Sequence, residues 1–296
     1  MIATTAVSML LLAASGSGRA PVPAQPRLKV FISVDMEGIG GIGTSAMTSA
    51  TGKDYATGRR LMTDEVNAVV AALFAGGATD IVVNDSHGDM QNLLHTDLDS
   101  RVTYIQGAIK LHGMVEGLDA SFHAVVLLGC HARAGTLQGF LAHTGAGVVK
   151  GLWLNDLEVG EGELNAAYAG ALGVPVVLAA GDATFVAQFA QTLQAETVVT
   201  KTAVTPQAAM LRHPSEVQKD LSAAATRALR SLASYSPWTV RTPVEVRLRF
   251  ADPSHAQILT SIPGVRQLDG YTVTVTAKDM FEAYRLIRLM YRFVSV

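Results

Sequence analysis

The chain reads as an α/β protein: a layered sheet flanked by helices, with a C-terminal α+β module packed on it. Three observations predict this. Continuously apolar runs of strand length alternate with stretches of helical periodicity, as a sheet buried on both faces requires. Polar residues recur directly after those runs, where open α/β sheets place their ligand crevice. After about residue 190 the texture changes to strands that alternate apolar and polar between longer helices.

Leu28–Val34 is a strand, continuous in hydrophobicity apart from Lys29 and Ser33. Tyr55–Ala75 places Leu61, Met62, Val66, Val69, Val70 and Leu73 on one helical stripe and stops at Gly76-Gly77. Asp80–Val83 is a short strand running into Asn84-Asp85-Ser86-His87. Val102–Gln106 is a third strand, Leu111–Leu118 a helix, and Ala124–Leu128 a fourth strand that ends at Gly129-Cys130-His131. Val148–Leu154 and Leu157–Val159 form a hairpin-like pair around Asn155-Asp156. Glu163–Ala171 is helical, and Val174–Ala179 is an apolar strand before Gly181-Asp182. In the C-terminal part Thr205–Leu211 and Val217–Ser234 read as helices, and Pro237 and Pro243 bracket a linker. Val244–Phe250 and Tyr271–Thr276 alternate as half-buried strands, and Met280–Phe293 is an amphipathic helix. The expected organisation is a signal-like or disordered segment over 1–27, an α/β domain over 28–190 that carries the polar clusters, and an α+β module over 191–296.

With 296 residues, 49% apolar and 16% charged, the chain can bury a large core and is not of disordered composition. A net charge of −2 without a long basic run excludes an electrostatic footprint for nucleic acid. Cys130 is the sole cysteine, so there is no intramolecular disulfide and no thiolate cluster for a metal. Ala6–Ala14 is mostly apolar and is followed by small residues and a proline-bearing stretch up to Arg27. This matches a short secretory segment with a cleavage zone near Ala20 or Ala24, although its only positive charge is the terminal amine. Export to the periplasm or medium is the expectation, with a cytoplasmic protein carrying a disordered extension as the alternative. The apolar run is shorter than the ~20 residues needed to span a bilayer, so stable membrane insertion is not expected.

Gly38, Gly40 and Gly43 fit a GxGxxG spacing after a strand, but not a dinucleotide site. Asp35 and Glu37 precede them and would repel a pyrophosphate, and Thr44–Gly52 lacks the apolar helix that would present free N–H groups. The glycines instead let the loop turn sharply. Two carboxylates two residues apart where a buried strand opens into this loop need a partner. Asp35, Glu37, His87, His131 and Glu161 share one character, each donating oxygen or nitrogen and following or interrupting an apolar segment. Three carboxylates and two imidazoles suffice for two divalent ions when one carboxylate bridges, and the mixed set suits zinc better than magnesium. Spacing alone identifies no such site, and each residue has a plainer reading: turn carboxylates, a histidine in a capped loop, a core histidine, a carboxylate at a helix N-terminus. Cys130 reads as an inert packed thiol, and His95, His112, His123, His213 and His255 as surface or structural. His143, followed closely by glycines, is free to act as an acid, a base or an oxyanion donor.

Four motifs in order, Ser33-Val34-Asp35-Met36-Glu37-Gly38-Ile39, Asn84-Asp85-Ser86-His87, Gly129-Cys130-His131-Ala132-Arg133-Ala134 and Gly160-Glu161-x-x-Leu164-Asn165, resemble the D-aminopeptidase family of zinc peptidases. Gly117-Leu118-Asp119 and Lys278-Asp279-Met280 extend the likeness over nearly the whole chain after residue 28. The resemblance implies two zinc ions per subunit held by Asp35, Glu37, His87, His131 and Glu161. Asp35 would bridge, Glu37 and His131 would complete one ion, and His87 and Glu161 the other. It implies His143 as the catalytic histidine, although the Thr136–Phe140 stretch is one residue longer than in the family's founding member. It also implies a decamer of two stacked pentamers. The implied activity is removal of the N-terminal residue from short D-amino-acid peptides or amides, with the substrate amine held by a zinc ion or by a carboxylate such as Glu163. The alternatives are an amidohydrolase acting on L-peptides or other small amides, and a non-enzymatic peptide- or metal-binding protein.

Overall fold

The computed structural model describes residues 1–3 and 27–295; the signal-like stretch lies almost wholly outside them. β1 (Lys29–Val34) is buried along its length after Lys29, because its side chains feed two different cores. Phe31 enters one, and Val30, Ile32 and Val34 enter the other. α1 (Tyr55–Ala75) follows, and its bounds match the apolar stripe. β2 (Asp80–Asp85) and β3 (Thr103–Ile105) add on one side of β1 in parallel. β4 (Ala124–Cys130), every residue of it buried, pairs in parallel on the other side. The expected helix over Leu111–Leu118 is only one 3₁₀ turn, Gly113–Val115. Gly113 and Gly117 adopt φ of +51° and +86°, which no α-helix continues through.

β5 (Val149–Leu154) and β6 (Leu157–Glu158) form the expected hairpin. α2 (Glu161–Ala171) begins two residues earlier than the periodicity suggests, which places Glu161 in its first turn. β7 (Val176–Asp182) leads into α3 (Ala183–Ala190), a short helix not anticipated from the sequence; Asp182 caps it by accepting from the Thr184 and Phe185 N–H groups at 2.9 and 3.1 Å.

The segment expected to be helical over Thr205–Leu211 is instead part of a hairpin, β8 (Glu196–Thr205) and β9 (Ala208–Leu211). Pro206 sits at its turn, where a helix interior would lose a hydrogen bond, and the β-branched run before it favours a strand. α4 (Pro214–Arg230), β10 (Val244–Phe250), α5 (Pro253–Leu259), β11 (Arg266–Gln267), β12 (Thr272–Ala277) and α6 (Met280–Val294) complete the chain.

The main sheet has the order β3-β2-β1-β4-β7-β8-β9, parallel except for β9. α1 and α4 cover one face, while α2, α3, α6 and a second, antiparallel sheet, β11-β12-β10-β5-β6, cover the other. Both sheets draw strands from each side of residue 190: β8 and β9 extend the first, and β5 and β6 belong to the second. The C-terminal ends of β1, β2 and β4 lie side by side in this topology, and α2 starts beside them.

Candidate metal centre

Asp35 and Glu37 leave the end of β1 on a loop tied down from three directions. The Asp35 N–H donates to Leu128 O at 2.9 Å and the Gly38 N–H to Gly129 O at 2.7 Å, which continues the pairing with β4 past the strand. Residue 38 must be glycine for that approach, since a Cβ there would lie 1.9 Å from Cys130 O. From β8, Lys201 and Thr200, both fully buried, donate to the carbonyls of Glu37 and Gly38. From α1, Glu65 accepts the Gly40 N–H at 2.6 Å. The glycine cluster is therefore a clasped turn under the site, with no helix N-terminus behind it.

His87 follows β2. Asp85, fully buried, accepts from Asn92 N, Leu93 N and Asn92 Nδ2 at 2.6–2.8 Å, and Asn92 Nδ2 also donates to His87 O at 2.7 Å. His131 follows β4, where Asp182 anchors the chain by accepting the Ala132 N–H at 2.9 Å. Glu161 opens α2, and its Oε1 accepts the Gly145 N–H. The Thr136–Phe140 stretch passes through Gln138 at φ of +58° and is followed by Leu141 at +49°, with Phe140 fully buried. It still brings His143 to the cluster.

The structure places all six residues together. His87 Nδ1 lies 3.1 Å from Asp35 Oδ1 and 2.9 Å from Glu37 Oε2. His131 Nε2 lies 3.3 Å from Asp35 Oδ2 and 3.5 Å from Glu161 Oε2. His143 Nε2 is 3.7 Å from Glu161 Oε1, and its ring stacks on that of His131 at 4.1 Å. Asp35 thus sits between the two halves, one oxygen toward each. These contacts group His87 with Glu37 and His131 with Glu161, whereas one donor atom each of Asp35, Glu37 and His131 also lie within 4.8 Å of one another. Asp35 is common to either grouping. His143 is the most open of the six, its side chain 30% exposed.

The remaining nitrogens orient the rings. His87 Nε2–H donates to Thr48 O at 2.9 Å, His131 Nδ1–H to Ala132 O at 3.0 Å, and His143 Nδ1–H to Leu141 O at 3.0 Å. The other nitrogens of His87 and His131 face carboxylate oxygens. Burial lowers both imidazoles, but Glu37 and Asp35 raise His87, and Glu161 and Asp35 raise His131, well above the usual range. A proton thus fills the gap that a bound metal ion would take over. Glu37 Oε2 and His131 Nε2 are buried without a hydrogen-bond partner among the described residues. Nitrogen and oxygen donors, oriented by backbone acceptors and with orphaned buried atoms aimed at one space, fit a divalent metal. Burial alone would raise the Glu37 carboxyl, but His87, His143 and His131 hold it well below the usual range. Glu161 is likewise held at about 2, burial being outweighed by His131 and His143.

One suggested role falls elsewhere, and Cys130 is the packed thiol its sequence context suggests. Glu163 turns its Oε2 to the Gly160 N–H at 2.9 Å, closing the first turn of α2, so its carboxylate is committed to the helix. Cys130 is buried, and desolvation beside Asp35 and Glu161 pushes its thiol well up, which leaves it unreactive. None of His95, His112, His123, His213 and His255 joins a candidate metal group among the described residues. Lys201, Glu65, Asp85 and Asn92 escape a sequence reading, because in sequence they are ordinary polar residues on a strand, a helix and a loop.

A cavity of about 270 Å³ opens on the cluster, lined by Asp35, His87, Met114, His143, Glu161 and Arg292 among others. A second, also about 270 Å³, reaches Glu37 and has Leu141 and Ala142 on its walls.

The sequence model of the peptidase M55 family, described as D-aminopeptidase, matches residues 28–289. The D-aminopeptidase of Bacillus subtilis (strain 168) is 34% identical over 265 residues, covering 89% of this chain and 96% of its own length. A solved structure, the Zn-dependent D-aminopeptidase DppA from Bacillus subtilis, described as a self-compartmentalizing protease, is similar at a TM-score of 0.87 and 34% identity. That likeness covers 90% of this chain and 97% of the other. Matched over most of its length in sequence and in fold, the chain belongs to the D-aminopeptidase family.

Proposed function

We propose that this chain is a zinc-dependent aminopeptidase that removes the N-terminal residue of short D-amino-acid peptides. The observation that carries this is the placement of Asp35 between His87 and His131, with each imidazole's free nitrogen turned to carboxylate oxygens beside an open cavity. Asp35, Glu37, His87, His131 and Glu161 would hold two zinc ions, with Asp35 shared. Bound zinc supplies Lewis acidity, polarising a carbonyl and bringing the pKa of water from ~15.7 toward ~7.

The chain's own groups do the rest. With Nδ1–H committed to Leu141 O, His143 has only Nε2 to offer the cavity. That atom takes up a proton and returns it to the leaving nitrogen, or as imidazolium donates to the developing oxyanion. The acidic floor attracts the substrate's ammonium, which favours an N-terminal residue over an internal one. Preference for D-residues is supported by membership of the family; its physical basis is the shape of the cavity walls.

The solved relative is a self-compartmentalizing protease. A decamer of two stacked pentamers is our reading for this chain, and export is our reading of its N-terminal segment. Profiling the zinc-loaded protein with matched D- and L-aminoacyl peptides and amides tests the function. Selective release of D-residues is expected. Equal turnover of L-substrates would overturn the stereochemical part, and no turnover with zinc bound would leave a binding protein.

A further inference from the structure

The cavity over the cluster is lined both by carboxylates from the end of β1 and from α2 and by two arginines from α6, and neither arginine has an ion-pair partner among the described residues. Arg288 and Arg292 lie one turn apart on α6 and both line the cavity that contains Asp35, His143 and Glu161. Arg288 is only 5% exposed, yet its guanidinium donates solely to neutral acceptors: Lys110 O at 2.9 Å, Leu111 O at 3.2 Å and the Tyr291 hydroxyl at 2.8 Å. Arg292 is exposed and makes no side-chain hydrogen bond to the described residues. Neither has a carboxylate within 4.0 Å among the described residues, whereas Arg60, Arg101, Arg212 and Arg227 all do.

This arrangement works against the fold. A buried cation without an anion is costly, and like charges four residues apart weaken a helix. Lys110, also buried, lies behind Arg288 and donates to Asn84 Oδ1 and Asp85 O, so it offers no anion to either arginine. Arg288 is tied by its donors to the 110–111 backbone and to Tyr291, whereas the Arg292 side chain has no such partner among the described residues. An anionic group brought by the ligand resolves the imbalance. The two guanidiniums are not equivalent: the donors of Arg288 are taken, while the planar fork of Arg292 is free to bind a carboxylate in bidentate fashion.

We propose that Arg292, backed by the field of Arg288, is the receptor for the free α-carboxylate of the leaving residue, so that the enzyme selects short peptide acids over their amides. This rests on the aminopeptidase reading and adds the direction in which the substrate lies. A dipeptide zwitterion carries its ammonium and carboxylate at opposite ends, roughly 7 Å apart when extended. Its N-terminal residue faces the carboxylate end of the centre, and its carboxylate faces α6. The second cavity, beyond Glu37, has Ser45, Thr48, Leu141, Ala142, Pro206 and Gln207 on its walls and no cation, so the carboxylate is not accepted on that side.

The test compares D-alanyl-D-alanine with D-alanyl-D-alaninamide on the zinc-loaded protein. It also compares binding of the non-cleavable reduced-amide isosteres of both. The wild type is expected to favour the acid by about tenfold or more in kcat/KM, mainly through KM. Arg292→Gln should bring the acid-to-amide ratio near one, and Arg292→Lys should restore part of it. Equal turnover of acid and amide by the wild type would overturn the proposal, as would an equal loss on both in Arg292→Gln. If neither peptide is cleaved, the aminopeptidase reading falls. The isosteres still decide this one: acid and amide binding the wild type equally would overturn it.

Discussion

Lys201, fully buried on β8, donates its ammonium group to the backbone carbonyl of Glu37 and, at 2.8 Å, to that of Ile42. One side chain thereby holds both ends of the glycine turn that carries Glu37 into the cluster. Phe140 covers it, with the ring centroid 5.0 Å from Nζ. Replacing it with Met removes the donor and keeps the bulk. Lys201→Met should cost about 1–3 kcal/mol for each orphaned carbonyl and lower zinc content through Glu37. Denaturant midpoints and metal analysis check this; full zinc occupancy in a destabilised variant would reduce Lys201 to a purely structural role.

Glu65 grips the same turn from α1, and burial raises its carboxyl to about 7 despite the Gly40 N–H and Lys201. The folded state therefore binds this proton more tightly than the unfolded chain. Its contribution is fully present below pH 4.5 and is lost as pH rises to about 7, an effect on the order of 3 kcal/mol. Glu65→Gln should remove that slope. The stability difference between the variant and wild type, measured at pH 5 and pH 8, should shift in favour of the variant at the higher pH. A pH-independent difference would contradict the argument.

Metal removal separates the ligands. Chelation should abolish activity and lower Tm, and zinc should restore both, since an ion at a hundred times its Kd adds about 2.7 kcal/mol to stability. Asp35→Ala should release or scramble both ions, because each of its oxygens faces a different half of the cluster. Glu37→Ala should weaken mainly one. Identical metal content in the two variants would refute the shared role of Asp35. Retention of both ions and full activity in His131→Ala would remove that residue from the ligand set.

His143→Ala should keep its metal and lose about 10²–10⁴ in kcat, the usual span for a group that moves a proton in the transition state. Single-turnover kinetics with bound zinc measured in parallel provides the check. A change confined to KM would make His143 a substrate-binding residue.

The sequence by itself determined the α/β class, the bounds of α1 and β10 and, within a residue, those of α6, and the positions where polar residues leave buried strands. These are properties of periods of two or 3.6 residues within one segment. Asp35 and His131 show the pattern because each directly follows a buried strand, and His87 because it stands two residues beyond one. Local signals also misled. Alanines and methionine around Pro206 suggested a helix where the chain makes a hairpin, and glycines broke the helix expected before β4. Only the tertiary structure decided that Glu163 serves the helix while Glu161 enters the cluster, although the two stand two residues apart. It also decided that Lys201 is buried beneath Glu37 and that Arg288 and Arg292 face the acidic centre. On α6 those arginines have the spacing of any solvated face. Their meaning comes from what stands across the cavity, because charge acts through space, and the chain brings α6 to β1 only after folding.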